Sequence, residues 1–357
     1  MLDDATVAER RDPRSLKAAW AEYRAANPKQ RIRDAAAALG VSEAELVAAD
    51  LGTGAIRLQP RWKELIESMP ALGRVMALTR NEYCVHEKMG RYDQIHLNEQ
   101  GGVTLDPEID LRIFFGHWQH GFAVTEMPEQ GGERHSLQFF DRDGLAVHKI
   151  YLKPASDVAA FHTLVANFKA EDQSAAIAIA PVDPPAVDRP DAEIDVGALD
   201  TRWRALQDTH DFFGMLRELK VGRVQSFRLV ADDLAQEVGK GAFSQGLELA
   251  AEAGLPVMIF VGSPGVIQIH TGPVSNVKRM GPWQNVLDEG FNLHLREDGI
   301  ESCWLVRKPT KDGIVTSLEI FDGAGQQIAW MFGKRKPGQA EDKAWPELAL
   351  KAVARAE

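Results

Sequence analysis

The sequence predicts an α+β chain made of two copies of one unit, each copy a large antiparallel sheet accompanied by helices. Three observations carry this reading. Two motifs recur in the same order in both halves, each half reads as helix followed by strands with tight-turn signals, and a proline-rich stretch separates the halves. A chain of 357 residues with 45% hydrophobic content has material for about two domains with a core in each.

Residues 1–13 read as a loose charged tail without the apolar stretch of a secretory signal. Residues 14–54 read as short helices. Leu16, Ala19 and Tyr23 mark one periodic face, Asn27-Pro28 breaks it, and Ile32, Ala35, Ala36 and Leu39 resume it up to Gly40. Ser42-Glu43-Ala44-Glu45 is a capping-box pattern that starts the next helix. Helix, glycine turn and capped helix also form the outline of a helix-turn-helix, although an ordinary helical hairpin is the commoner outcome.

Arg61-Trp62-Lys63-Glu64-Leu65 with Gly73 recurs as Arg202-Trp203-Arg204-Ala205-Leu206 with Gly214, 141 residues later. Ser136-Leu137-Gln138-Phe139-Phe140-Asp141 recurs as Ser317-Leu318-Glu319-Ile320-Phe321-Asp322, 181 residues later. These offsets predict about 40 extra residues in the middle of the second copy. They also set Met69 opposite His210. The expected division is residues 1–170, a linker over 171–199 whose prolines exclude helix and central strand, and residues 200–357. Within the copies, strands are expected at Ile109 to Phe115, Leu145 to Leu152, Phe291 to Leu295, Cys303 to Arg307, Val315 to Phe321 and Gln327 to Phe332, one sheet per copy.

The net charge of −11 repels phosphate backbones and anionic lipid, so a nucleic-acid role would need a strong local basic patch. The two cysteines, Cys84 and Cys303, lie far apart without a CxxC pattern. Free thiols in a reducing compartment are the simpler expectation than a disulfide framework or a zinc site. No apolar run reaches the roughly 20 residues of a membrane helix. The expected location is the cytoplasm.

His210, in Asp208-Thr209-His210-Asp211-Phe212-Phe213, is a candidate ligand for a transition metal or haem iron, because the first copy has methionine at the aligned position. Arg112, in the apolar run Ile109 to Phe115, is either a paired structural arginine or a permanent donor facing an anion. Arg223, Lys308 and Lys334-Arg335-Lys336 gather cations in the second copy of an acidic protein. His117 and His120 lack a third ligand at close spacing. Neither a glycine-rich phosphate loop nor a nucleophile elbow is found.

Four stretches, Ile109 to Phe114, Asp208 to Phe213, Val306 to Gly313 and Lys334 to Gly338, occur in this order in a duplicated chain. With them the sequence resembles the bacterial cytoplasmic haemin-transport and haemin-degrading proteins of the HemS/PhuS type, from about Leu16 to Gly338. The resemblance implies two large antiparallel sheets stacked as a central saddle with flanking helices, and haem in a cleft at one side. It implies His210 as proximal iron ligand and Arg112 as the distal arginine, the candidate catalytic group. It places Arg223, Lys308 and Arg335 at propionate or cleft-mouth positions and Phe114 and Phe260 against the ring. The family often has glutamine and tyrosine where this chain has Trp330 and Phe332, which removes hydrogen bonds to propionates or distal water.

The implied function is intracellular haem handling for iron acquisition. Haem received from the cytoplasmic side of an ABC transporter would pass to a haem oxygenase, or be degraded with a reductant and oxygen. The protein would act as a monomer or homodimer. Two competing classes remain. A DNA-binding regulator would use residues 32–49, but Ser42 to Asp50 carries acids and no cations. A purely structural interaction protein would leave the contrast between His210 and Met69 unexplained.

Overall fold

The computed structural model describes residues 13–28, 30–128, 131–181, 187–335 and 338–357. All but the last residue of the expected tail, and Lys336, lie outside the described residues. The chain opens with α1 (Pro13–Ala26), α2 (Ile32–Leu39) and α3 (Glu43–Ala49). Gly40 ends α2 in the left-handed region at φ 67°, where a side chain would be strained. The Ser42 hydroxyl accepts the Glu45 amide at 3.2 Å, and the Glu45 carboxylate accepts the Ser42 amide at 2.7 Å, so the capping box forms. Six of the seven residues of α3 are buried, and its Glu43 is ion-paired with Lys149 and Arg80. A helix packed in this way presents no recognition surface, which removes the structural basis for the helix-turn-helix reading.

Then follow β1 (Ala55–Arg57), α4 (Trp62–Glu67), β2 (Gly73–Arg80), β3 (Cys84–Gly90), β4 (Ile95–Asn98), β5 (Gly101–Leu105) and β6 (Asp110–Phe114). The first half closes with β7 (His120–Glu126), β8 (Arg134–Phe140), β9 (Ala146–Ser156) and α5 (Val158–Phe168). Among the described linker residues before 196, the only helical piece is a short turn at Asp191–Glu193. The second half holds α6 (Val196–Arg204), α7 (Asp211–Leu219), α8 (Arg223–Leu229), β10 (Ala235–Val238), α9 (Ala242–Ala253), β11 (Val257–Gly262) and β12 (Val266–Gly272). It ends with β13 (Val277–Met280), β14 (Trp283–Asp288), β15 (Phe291–Arg296), β16 (Ser302–Thr310), β17 (Gly313–Phe321), β18 (Gln327–Gly333) and α10 (Ala344–Ala356).

Two nine-stranded antiparallel sheets result, in the orders β1-β7-β8-β9-β2-β3-β15-β14-β13 and β10-β16-β17-β18-β11-β12-β6-β5-β4. The expectation of one sheet per copy is therefore corrected. Each sheet takes six strands from one half and three from the other. The physical reason lies in the edges: β3 and β12 would each end a six-stranded sheet with unpaired amides, and the exchanged hairpins cover both.

The duplication itself is real, but its register differs from the expected one. Ala55 of β1 and Ala235 of β10 stand 180 residues apart, and His120 of β7 and Ser302 of β16 stand 182 apart. The copies thus run at a nearly constant spacing, with no 40-residue insertion. By this spacing α4 corresponds to α9, and α1–α3 correspond to α6–α8. The two Arg-Trp motifs are not equivalent: Trp62 opens α4, whereas Trp203 sits in the last turn of α6. Met69 is a buried core residue unrelated to His210 by the repeat.

Alternation along the strands assigns the faces. One face of each sheet is apolar and turned toward the other sheet. On it Gln268 of β12 meets the residue at the corresponding place in the first copy, His86 of β3, at 2.9 Å, and Lys88 meets His270 at 2.8 Å. Thr79 bonds both Gln268 (2.8 Å) and His148 (2.9 Å), and Tyr92 bonds the other nitrogen of His148 at 2.6 Å. A polar seam therefore runs through the centre of the molecule. Cys84 and Cys303 are buried free thiols in the core beside it.

Burial pushes the His148 ring down to about 3, so it is neutral when folded. A folded pKa below the unfolded value gives stability that is complete above pH 6.5 and is lost as pH falls toward 3. Asp141, pushed up to about 8 by burial and the neighbouring Asp143, and Glu341, pushed up to about 7 by burial, act in the opposite sense. The contribution of the ring is therefore read as a difference. The stability gap between the parent chain and His148→Gln should be flat above pH 6.5 and shrink by up to about 1.4 kcal/mol per pH unit below it. Urea unfolding at pH 7.5 and 5.0 measures this, and a gap independent of pH would contradict a neutral buried ring.

Candidate functional site

The outward face of the second sheet is where the candidate residues meet. Directly paired residues in antiparallel strands share a face, as do residues two apart in one strand. Arg112 pairs with Ile267, and Phe260 with Ile269; Phe260 also pairs with Trp330, and Trp330 with Glu319. Arg112 from the first half and Phe260, Trp330 and Glu319 from the second half therefore project to one side. Phe114 and Phe332 lie two residues further along the same strands as Arg112 and Trp330. Helices α6–α8 cover one end of this face, burying Trp203, Phe212 and Phe227 against Trp304 and Phe321. The other end stays open, leaving a cleft between the helical cap and β6.

His210 lies in the turn between α6 and α7, not on a long leading helix. Its side chain is 85% exposed. Asp208 fixes the ring by accepting the His210 backbone amide at 2.9 Å and contacting Nδ1 at 2.6 Å. The backbone amide and ring of His210 and the neighbouring charge of Arg335 together hold the Asp208 carboxyl below its usual range. An ionised Asp208 selects the tautomer with hydrogen on Nδ1, which presents Nε2 as a lone-pair donor. Of the three partners the sequence left open for this ring, Asp208 is the one it contacts. Phe213, one turn further on and half exposed, contacts the Arg223 guanidinium at 4.7 Å from its ring centre.

Arg223 begins α8, and its Nη2 donates to Glu319 at 2.6 Å. Lys308 is deeply buried and donates to the other Glu319 oxygen at 2.7 Å. Burial alone would raise the Glu319 carboxyl, but Arg223, Lys308 and a hydroxyl bond from Ser317 win and hold it down to about 2. Arg112 is half-buried, ion-paired with Asp110 and bonded to the Leu111 carbonyl at 3.1 Å. Phe114 is 44% exposed beside it. Phe260 stacks on Trp330 with centroids 5.3 Å apart and 17° between planes, and Phe332 meets Phe260 edge-on at 5.2 Å.

The structure thus joins Arg223 and Lys308 through Glu319, links Phe260 to Arg223 through Trp330, and sets Arg335 near Asp208. Arg112 and Phe114 sit two strand spacings from Phe260, about 10 Å away. The sequence reading missed Glu319. A signal was present: a lone acid in an apolar strand, where the first copy has Gln138, requires nearby cations when buried.

The haemin-degrading HemS.ChuX domain family matches residues 40–168 and again residues 220–351. The hemin transport protein HmuS of Yersinia pestis is 41% identical over 340 residues, 95% of this chain and 97% of that protein. The crystal structure of holo-PhuS, a heme-binding protein from Pseudomonas aeruginosa, superposes with a TM-score of 0.93 at 47% identity, covering 95% of this chain and 98% of that one. The Escherichia coli heme degrading enzyme ChuS superposes with a TM-score of 0.87 at 38% identity, covering 95% and 99%.

The buried triad has a direct energetic consequence. Glu319→Ala would leave two buried cations without their partner, at a cost of about 3–5 kcal/mol. A melting temperature equal to that of the parent chain would show that the triad is not buried as described.

Proposed function

Since the chain belongs to the HemS/ChuX haemin-degrading family, we propose that it binds haem as cargo or substrate in the cleft over the second sheet. One observation carries the reading: an exposed imidazole, its Nδ1 held by a carboxylate, stands beside an aromatic floor with cations at its end. His210 donates Nε2 to the iron. Asp208 orients the ring and raises its basicity. Phe260, Phe114 and Phe213 cover porphyrin faces and exclude water, while Arg223, Lys308 and Arg335 supply positive charge for the propionates. Arg112, on a strand from the other half, faces the side of the cleft away from the helical cap and is the candidate catalytic group.

In this role the protein receives haem after import and hands it to a haem oxygenase, or opens the macrocycle when oxygen and a reductant are supplied. Iron binding through His210 serves both outcomes; ring opening additionally needs Arg112. Cytoplasmic work agrees with two free buried thiols and with the absence, among the described residues, of any helix long and apolar enough to cross a membrane.

Haemin titrated into the full chain should give a defined Soret band. His210→Ala should weaken binding at least tenfold and move that band, and an unchanged spectrum and affinity would remove His210 as the ligand. Asp208→Asn should retain binding but raise the reduction potential of the bound haem, because a neutral acceptor leaves the imidazole less basic. Equal potentials in a spectroelectrochemical titration would show that Asp208 does not act through the ring.

A further inference from the structure

The cations of the cleft are already engaged before any ligand arrives. Glu319 takes one bond from Arg223 and one from Lys308, so two positive charges and one negative leave a net charge of one inside the protein. Lys308 is sealed from solvent. The Arg223 guanidinium lies among aromatic rings, 4.7 Å from the Phe213 centre and 5.7 Å from that of Trp330. Its Nε is buried and without a partner. A ligand carboxylate reaching this end of the cleft would find one unengaged donor on Arg223 and would compete with a buried, ionised glutamate for the rest. Arg335 is shared with Asp208, and Lys334 is exposed, where solvent and salt screen it.

The floor is different in kind. Phe260 and Trp330 form a flat stacked pair, Phe332 closes one edge, and Phe114 and Phe213 offer exposed rings near either end. No polar side chain interrupts the stacked pair. Such a surface gains from the apolar face of a planar ligand whatever its periphery carries.

We propose that this cleft selects its ligand by the planar face and the open axial position of the metal, and reads the peripheral carboxylates weakly. The ligand class is then metallated planar macrocycles in general, including those whose carboxylates are esterified. This inference rests on the proposed haem-binding role of the same cleft.

The experiment titrates the full chain with haemin and with haemin dimethyl ester in the same mild detergent, following the Soret band. The expected dissociation constants agree within threefold. Trp330→Gln, which alters the floor without touching the cations, should weaken both ligands to a similar degree, about tenfold. Glu319→Gln, which frees Arg223 and Lys308, should strengthen haemin over its ester by at least tenfold, provided its melting curve shows a folded chain. Haemin binding with the ester more than tenfold weaker in the parent chain would overturn the inference while leaving the haem-binding role intact. Failure of both ligands to bind would remove the role and the inference together. The comparison of the two ligands on the parent chain decides the matter even if Glu319→Gln does not fold.

Discussion

Antiparallel pairing across the two halves, β12 with β6 and β3 with β15, is what makes this a single structure rather than two linked domains. A six-stranded sheet that ended at β3 or β12 would expose a row of amides and carbonyls beside an apolar surface. The exchanged hairpins complete both sheets at once and press their inner faces together. The cleft inherits this arrangement, because Arg112 and Phe114 reach the face of Phe260 only through the β12–β6 ladder.

Inside the molecule, polar groups meet in pairs. His86 with Gln268 and Lys88 with His270 are contacts between corresponding positions of the two copies, as expected where a pseudo-twofold axis crosses a packed interface. Burial of such groups is tolerable only when their bonds are met, and Thr79, Tyr92 and Gln268 supply most of them. The charged triad around Glu319 follows the same rule at the edge of the cleft. Its counterpart in the first copy is the uncharged Gln138, bonded to Ser136 as Glu319 is bonded to Ser317.

Much of the fold was legible in the sequence because it is locally encoded. Gly40 and Ser42 mark helix ends through backbone conformation and a capping box, and the strands from Phe291 to Phe332 appear as alternating runs between glycine turns. Strand exchange was not legible, because alternation states which face a side chain takes and not which strand lies beside it. The Arg-Trp pair misled for a related reason: five residues of similar chemistry are too short to fix a repeat register, and the longer Ser136 and Ser317 match carried the true spacing. Of the candidate site, Arg112, Phe114, Phe260 and Arg223 share one open surface. Lys308 instead lies beneath it, since its charge is spent on a glutamate that only tertiary packing brings near.

Strand exchange also shapes how the chain comes into being. As the polypeptide leaves the ribosome, β3 emerges some 200 residues before β15, which must pair with it. Throughout that interval the nascent first half carries an open sheet edge with no partner of its own. A neighbouring nascent chain at the same stage offers a matching strand. Crowded synthesis thus favours intertwined dimers in which two molecules trade hairpins, and a holdase shielding β3 until the second half arrives would raise the yield of single chains.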